Sequence, residues 1–396
     1  MMQISPETQL FIREHSSDDV RALALQAKKY PDIDMPTAIT QIAGRKVAAE
    51  KIPSWWEIEK IWYPKHLSLE QCSSEITARY KARLLQGDSL TDLTGGFGID
   101  CSFLAIGFKS ATYVERQEEL CEIAAHNFPV LNLNHINIKN EDGVTYLQAM
   151  SPVDCLFLDP ARRNEHGGKT VAISDCEPNV AELEELLLQK ANRVMIKLSP
   201  MLDLSLALKE LKQTQEVHIL SVNNECKELL ILLGQTSPAE ISIHCVNLFT
   251  KGTQKEQHFV FTREQEQCSE CTYTDSLETY LYEPNASLLK AGAFRSIAAA
   301  YPVRKLHPNS HLYTSDTFIE NFPGRIFRIV NQCSFNKKEV KENLADLKKA
   351  NVTVRNFPAT VAELRKRIHL AEGGDTYLFA STLNNGQKVL IRCEKV

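Results

Sequence analysis

The sequence lacks any apolar run approaching the ~20 residues that a membrane helix needs. Its N-terminus, MMQISPETQLFIREHSSDDV, has no basic segment followed by an apolar block, so no signal peptide is expected and a cytoplasmic location is. Regular cysteine spacing is missing too. Eleven scattered cysteines, an odd number, suit reduced thiols better than a disulfide framework. One close pair, Cys268 and Cys271 in EQCSECTY, has neither a second pair nor a histidine at a distance suited to zinc, so no metal is expected. There is no internal repeat and no low-complexity segment. Positive charge is not in excess either: the net charge is −5, which alone argues against a nucleic-acid protein.

The distribution of that charge says more. From Arg325 to the end there are 14 Lys/Arg and 7 Asp/Glu, a net of +7, so the remainder carries −12. A basic C-terminal module on an acidic body is an electrostatic footprint for a polyanion. A solvated helix surface is the plainer alternative.

Patterning divides the chain into four parts. Residues 1–85 read as a helical region, with apolar residues at helical spacing in TQLFIREHSSDDVRALALQA and punctuation at Pro31, Pro36 and Pro53. Residues 86–235 alternate strand and helix, as a doubly wound parallel α/β sheet does. Residues 236–284 hold strands without long helices, which predicts a small antiparallel insert. Residues 285–396 begin irregularly and end as a basic α+β module, closed by a hairpin at Asn385-Gly386.

The stretch SLTDLTGGFGIDCSFLA, residues 89–105, places three glycines between a strand and a helix. Such a turn suits a nucleotide-like ligand at a helix start. Cys101 stands where a dinucleotide fingerprint has its third glycine, and the Lys-Ser/Thr pair of a P-loop is missing. Asp92, at the strand end, would repel a pyrophosphate. It would attract the ammonium and sulfonium of S-adenosylmethionine, while the glycines permit close backbone approach. Glu115, ending the second strand, can accept ribose hydroxyls of either cofactor. Asp142, after the third strand, could accept an adenine amino group, with Glu141 the nearby alternative, or cap a helix.

The fourth strand runs as DCLFLDPARR straight into Asp159-Pro160. Proline stops the ladder and fixes the backbone at the strand tip. An Asp there sits at the crevice and can orient or partly deprotonate an acceptor; a turn starter without chemistry is the alternative. Arg162 and Arg163 have forks suited to phosphate, or to surface ion pairs.

DLTGGFGID, YVERQ, NEDG and DPARR resemble motifs one to four of class I S-adenosylmethionine-dependent methyltransferases, over roughly residues 65–235. LSLEQCSSEITARYKARLL upstream, with YEPNASLLKAGAF and HLYTSD downstream, resembles a bacterial group that joins this Rossmann-like core to a ferredoxin-like insert and a C-terminal THUMP-like domain. The resemblance implies S-adenosylmethionine as cofactor and RNA, ribosomal or transfer, as partner. It implies that Asp92, Gly95 and Gly98 hold the methionine end, Glu115 the ribose and Asp142 the adenine. Thr94, Gly96, Arg116 and Gly143 complete the cofactor set. Asp159, Pro160 and Arg162 would face the acceptor. Ala161 and Arg162 depart from the Pro-Pro-aromatic pattern of amino methylation, so the methylated atom stays open.

Two further expectations concern helices. Gln71 and Ser74, three residues apart in one expected helix, would share a face over the cofactor carboxylate, or pack on the sheet. Lys337, Lys338, Lys341, Lys348 and Lys349 on one expected helix, with Arg365, Lys366 and Arg367 on the next and Arg163 near the strand tip, would contact phosphates. The leading function is therefore an RNA methyltransferase. A protein or small-molecule methyltransferase, or a non-catalytic binder, are the alternatives.

Overall fold

The computed structural model describes residues 4–162, 172–236 and 238–396; Arg163 lies outside them. The chain forms two compact units, residues 1–215 with 229–238, and residues 216–228 with 239–396.

The first unit opens with α1 (Pro6–Glu14), α2 (Val20–Leu25), α3 (Met35–Lys51), α4 (Pro53–Trp56), α5 (His66–Gln71) and α6 (Glu75–Ala82). Ser5, Asp19 and Asp34 cap the first three through side-chain oxygens, as the starts of helices require. The core alternates β1 (Ser89–Asp92), α7 (Ile99–Ala105), β2 (Ser110–Glu115), α8 (Glu118–Val130), β3 (Ile136–Asn140), α9 (Gly143–Ala149) and β4 (Val153–Leu158). A short ribbon of β5 (Ala161–Arg162) and β6 (Cys176–Glu177) follows, then α10 (Val180–Lys190), β7 (Ala191–Leu198) and α11 (Leu204–Glu210).

Strands β3, β2, β1, β4 and β7 lie side by side and parallel, as the alternating pattern predicts. β8 (Thr214–Val222) and β9 (Glu225–Gly234) come next in the chain and hold residues of both units. Leu229–Gly234 of β9 pairs antiparallel with β7. Strand order reverses between β1 and β4, which is where a doubly wound sheet opens its ligand crevice. α3–α6 pack on α7 and α8 through Ile52, Trp55, Tyr63 and Leu69 against Phe97, Phe103 and Ile123.

In the second unit β10 (Ser242–Leu248) pairs parallel with β8 and antiparallel with β11 (Glu256–Thr262). Within the stretch expected to be antiparallel, β10 and β11 do pair antiparallel, and the parallel pairing runs from β10 to β8, which precedes that stretch. α12 (Arg263–Cys268), β12 (Tyr280–Pro284), α13 (Ala286–Ala291), α14 (Ser296–Ala300), β13 (Arg304–Lys305) and β14 (Tyr313–Ser315) follow. The chain ends with β15 (Gly324–Ser334), α15 (Lys337–Leu344), β16 (Asn351–Val354), α16 (Val361–Ile368), β17 (Thr376–Thr382) and β18 (Lys388–Lys395). The seven strands β12–β18 form one sheet, in the order 13-14-12-15-18-17-16. Leu344, Leu364, Leu378 and Leu390 build its core beneath α15 and α16.

α15 stops at Leu344, so Lys348 and Lys349 do not share a helix with Lys337, Lys338 and Lys341, contrary to expectation. Backbone bonding explains the stop. Lys348 O accepts from Ala371 N, and Ala350 N donates to Ala371 O, which turns the chain extended ahead of β16. Asp346 is drawn to Arg392 at 2.9 Å.

Candidate active site

The glycine turn is shaped by what surrounds it. Gly96 and Gly98 have φ of 54° and 86°, in the left-handed region that side chains disfavour. A Cβ on Gly95 would lie 2.2 Å from the Tyr113 ring. The Tyr113 hydroxyl donates to Gly96 O, and Trp55 meets Phe97 edge-on at 5.2 Å. The turn is thus pinned from the sheet below and from the N-terminal helices beside it.

Asp92 is 1% exposed. Its Oδ1 accepts from Thr94 N at 3.0 Å, whereas Oδ2 is buried without a hydrogen-bond partner among the described residues. Burial pushes its pKa well above the usual carboxylate range; the Thr94 N–H opposes this, and Asp100, Asp159 and Glu115 add to it. An ionised oxygen in that position is costly until a cation meets it. Thr94 also accepts, through Oγ1, from Asp159 N at 2.6 Å, which ties the tips of β1 and β4 together.

Glu115 is held by two backbone donors, Gly96 N at 2.9 Å and Gln117 N at 2.8 Å. Its carboxylate thereby faces the turn in a fixed orientation. Arg116 points elsewhere: its side chain is 64% exposed and lies 3.7 Å from Glu177. Asp142 caps α9, its Oδ1 accepting from Val144 N and Thr145 N, both at 3.0 Å. Gly143 is required by packing, because a Cβ would sit 2.2 Å from Leu93 O.

Asp159 follows β4, and Pro160 after it is buried. The β4–β7 register sets Leu158 opposite Ile196, which makes Asp159 the neighbour of Lys197. Lys197 Nζ lies 2.5 Å from Asp159 Oδ2 and 3.5 Å from Asp100 Oδ2. Asp100 in turn pairs through Oδ1 with Lys81 Nζ at 2.9 Å. Ser73 Oγ donates to Asp100 at 2.7 Å and accepts from Lys81 at 2.8 Å. Positive and negative groups thus alternate from the tip of β4 to the N-terminal helices. Burial works to raise the Asp100 pKa, but Lys81, Lys197 and Ser73 override it and hold the carboxyl below its usual range. Burial raises the Asp159 pKa against the pull of Lys197, although its side chain is 37% exposed.

Ser73, Lys81, Asp100 and Lys197 are absent from the sequence expectation. A signal existed for one of them: Lys197 interrupts the apolar run RVMIKLSP at a strand's carboxyl end. The expected pairing of Gln71 and Ser74 on one helix face does not occur. The backbone is extended at Cys72 and at Ser74, so α5 ends at Gln71 and α6 starts at Glu75. The break is what turns Ser73 toward Asp100. Ser74 instead contacts Thr77 at 3.2 Å. Arg162 occupies β5.

Asp92 Oδ2, the two φ-positive glycines and the fixed Glu115 form a set that would fit S-adenosylmethionine: the unpartnered Oδ2 would accept a positive group, and Glu115 would offer lone pairs to a diol.

In the second unit Lys337, Lys338, Lys341, Lys348, Lys349 and Lys366 are exposed. Arg365 is committed to the fold, bonding Ala350 O at 3.3 Å and approaching Glu372 at 3.6 Å. Arg367 lies over the Phe335 ring at 4.2 Å.

Residues 280–323 match a ferredoxin-like domain family and residues 324–395 a THUMP domain-like family. The crystal structure of a "putative methyltransferase from Porphyromonas gingivalis W83" superposes over 100% of both chains, with 34% identity and a TM-score of 0.87. Partial matches include a putative methyltransferase from Streptococcus mutans in complex with SAH (13% identity, 40% of this chain and 96% of that one, TM-score 0.30). Another is an rRNA methylase from Streptococcus thermophilus (14% identity, 40% and 93%, TM-score 0.29). No curated protein matches the sequence. The chain belongs to the family of the Porphyromonas protein, in which a class I methyltransferase fold carries ferredoxin-like and THUMP-like domains.

Proposed function

We propose that this protein is an S-adenosylmethionine-dependent methyltransferase acting on structured RNA. The observation that carries the reading is the buried, unpartnered Oδ2 of Asp92 at a glycine turn, with Asp159 at the tip of the neighbouring strand paired to Lys197 on the next. S-adenosylmethionine, when bound, supplies a methyl group made electrophilic by its sulfonium.

The residues of the chain do the rest. Asp92 meets the ligand's positive charge, and its carboxyl is driven to the ionised form by that contact. Glu115 holds the ribose and Asp142 the adenine, with the backbone of Thr94, Gly95, Gly96 and Gly98 lining the approach. Asp159 accepts a hydrogen bond from the acceptor and aims its lone pair in line with the methyl group. Lys197 fixes the Asp159 rotamer and balances its charge. A carboxyl with a raised pKa is also the better proton acceptor.

RNA as acceptor is supported by the THUMP domain-like match and by the net +7 from Arg325 onward. Lys337, Lys341 and Lys366 stand exposed on α15 and α16, ready for phosphates. Transfer of labelled methyl from the cofactor into total RNA tests the proposal, paired with mass spectrometry of RNA nucleosides from cells with and without the protein. Cofactor binding by calorimetry without incorporation into RNA, and without a missing nucleoside, would sink the RNA assignment.

A further inference from the structure

Four side chains of the second unit converge on one face of the β8-β10-β11 sheet. His244 is directly opposite His218 across the parallel pair, and Ser242 is opposite Glu216. On the other side His258 is opposite Val246, which sets it diagonal to His244. Side chains two apart on a strand share a face, so Glu216, His218, His244 and His258 all project to the same side.

The spacing of three of them is that of a metal ligand set. One ligand atom each of Glu216, His218 and His244 lies within 4.8 Å of the other two. Glu216 Oε2 is 3.3 Å from His218 Nε2, and His258 Nε2 flanks the set at 3.1 Å from His244 Nδ1. A tetrahedral ion bound at ~2.0–2.1 Å to nitrogen sets its ligands about 3.3 Å apart. One edge of such a tetrahedron is therefore already at length. The rings of His218 and His244 stack at 4.3 Å and those of His244 and His258 at 5.3 Å. Exposure rises along the row from His218, 2% exposed, to the exposed His258, which gives an ion a way in from solvent. Ser242 Oγ, 3.1 Å from His244 Nε2, and His258 Nε2, 3.1 Å from His244 Nδ1, flank that ring and would orient it, as outer-shell partners do.

We propose that Glu216, His218 and His244 bind a divalent transition-metal ion of the zinc class, tying β8 to β10. Two imidazoles and one carboxylate suit zinc, nickel or copper rather than magnesium or calcium. Three protein ligands leave the fourth position to water, with His258 beside the set against His244. The site stands independently of the proposed methyl transfer.

The test uses the full chain, stripped with chelator and titrated with Co²⁺ as a spectroscopic probe and with Zn²⁺ by calorimetry. One ion per chain is expected, with tetrahedral d–d bands and no thiolate charge-transfer band, and with a Zn²⁺-dependent rise in Tm. His218 is buried and its replacement endangers folding, so His244→Ala and Glu216→Gln carry the test. Each should lower affinity at least as much as the ~10–100-fold that outer-shell losses cost. Cys268→Ser/Cys271→Ser should change nothing. Absence of d–d bands, unchanged affinity in both ligand variants, or a thiolate band that vanishes in the cysteine variant would each overturn the proposal. In the first case the row is a hydrogen-bonded histidine stack only.

Discussion

The crevice of the first unit and the helices of the C-terminal module both depend on charge, and they use it in opposite ways. In the crevice every charge is constrained. Lys81 is fully buried, Asp100 is 9% and Lys197 8% exposed, and each answers another. On α15 the lysines stand in solvent, where a single charge contributes little to the fold. Buried charge fixes geometry at a high cost per group, whereas exposed charge supplies attraction that many residues share. Removing one member should therefore be severe in the first region and gradual in the second.

The sharpest break falls on Asp159. Asp159→Ala should lower methyl transfer by about 10²–10⁴ while cofactor affinity by calorimetry stays near that of the unaltered chain. Loss of both together would make Asp159 a cofactor ligand rather than an acceptor-orienting group. Lys81→Met leaves Asp100 facing Lys197 alone in a buried place and should cost about 3–5 kcal/mol in denaturant unfolding. Lys81→Met with Asp100→Leu should recover much of that; if the double variant is no better than the single, the pairing is not what Lys81 contributes.

Asp92 gives the next effect, and its direction differs from that of an ordinary buried ion pair. Asp92→Asn should weaken cofactor binding by about 10–100-fold, the worth of a charge-assisted bond of ~1.5–3 kcal/mol. Stability without ligand should hold or rise. The folded-state pKa of Asp92 is raised, so its contribution is fully present below the unfolded pKa and is lost as pH rises through the folded value. Ligand-free protein should therefore lose stability over that rise, and the Asn variant should lose less. Cofactor affinity should run the other way, strengthening as pH rises through the same value. A melt and a titration series over pH check both signs.

The smallest effects belong to the basic helices. Each of Lys337→Ala, Lys341→Ala and Lys366→Ala should reduce the salt slope of RNA binding by about 0.7–0.9 and shift unfolding by within about 0.5 kcal/mol. A slope unmoved in the triple variant would place the RNA contact elsewhere. Arg365→Ala is the internal contrast, since that side chain bonds Ala350 O and its loss should register in stability.

Legibility in the sequence followed the same division. Strand–helix alternation, the glycine turn and the Asp-Pro at a strand tip are local patterns, and a doubly wound sheet converts them into positions without further information. That is why Asp92, Glu115 and Asp159 could be placed at the carboxyl edge. The Asp100–Lys81–Lys197 cluster draws on α7, α6 and β7, and only the β4–β7 register and the break after Gln71 bring its members together. Neither is a periodicity. Helix ends were misplaced where tertiary bonding won over propensity, at Cys72–Ser74 and after Leu344. The glycines were legible as a turn, but Gly95 and Gly143 owe their identity to Tyr113 and Leu93 O, which no spacing reveals.

The break between α5 and α6 has a consequence for the protein's history. It hands Ser73 and Lys81, from the helical stretch ahead of the sheet, to an aspartate inside the helix that follows the glycine turn. The first 85 residues are therefore not a detachable appendage to a self-sufficient catalytic module. Without those helices Asp100 would be left to Lys197 alone, and a swap of the leading helices between relatives keeps the pair only where Lys81 and Asp100 travel together.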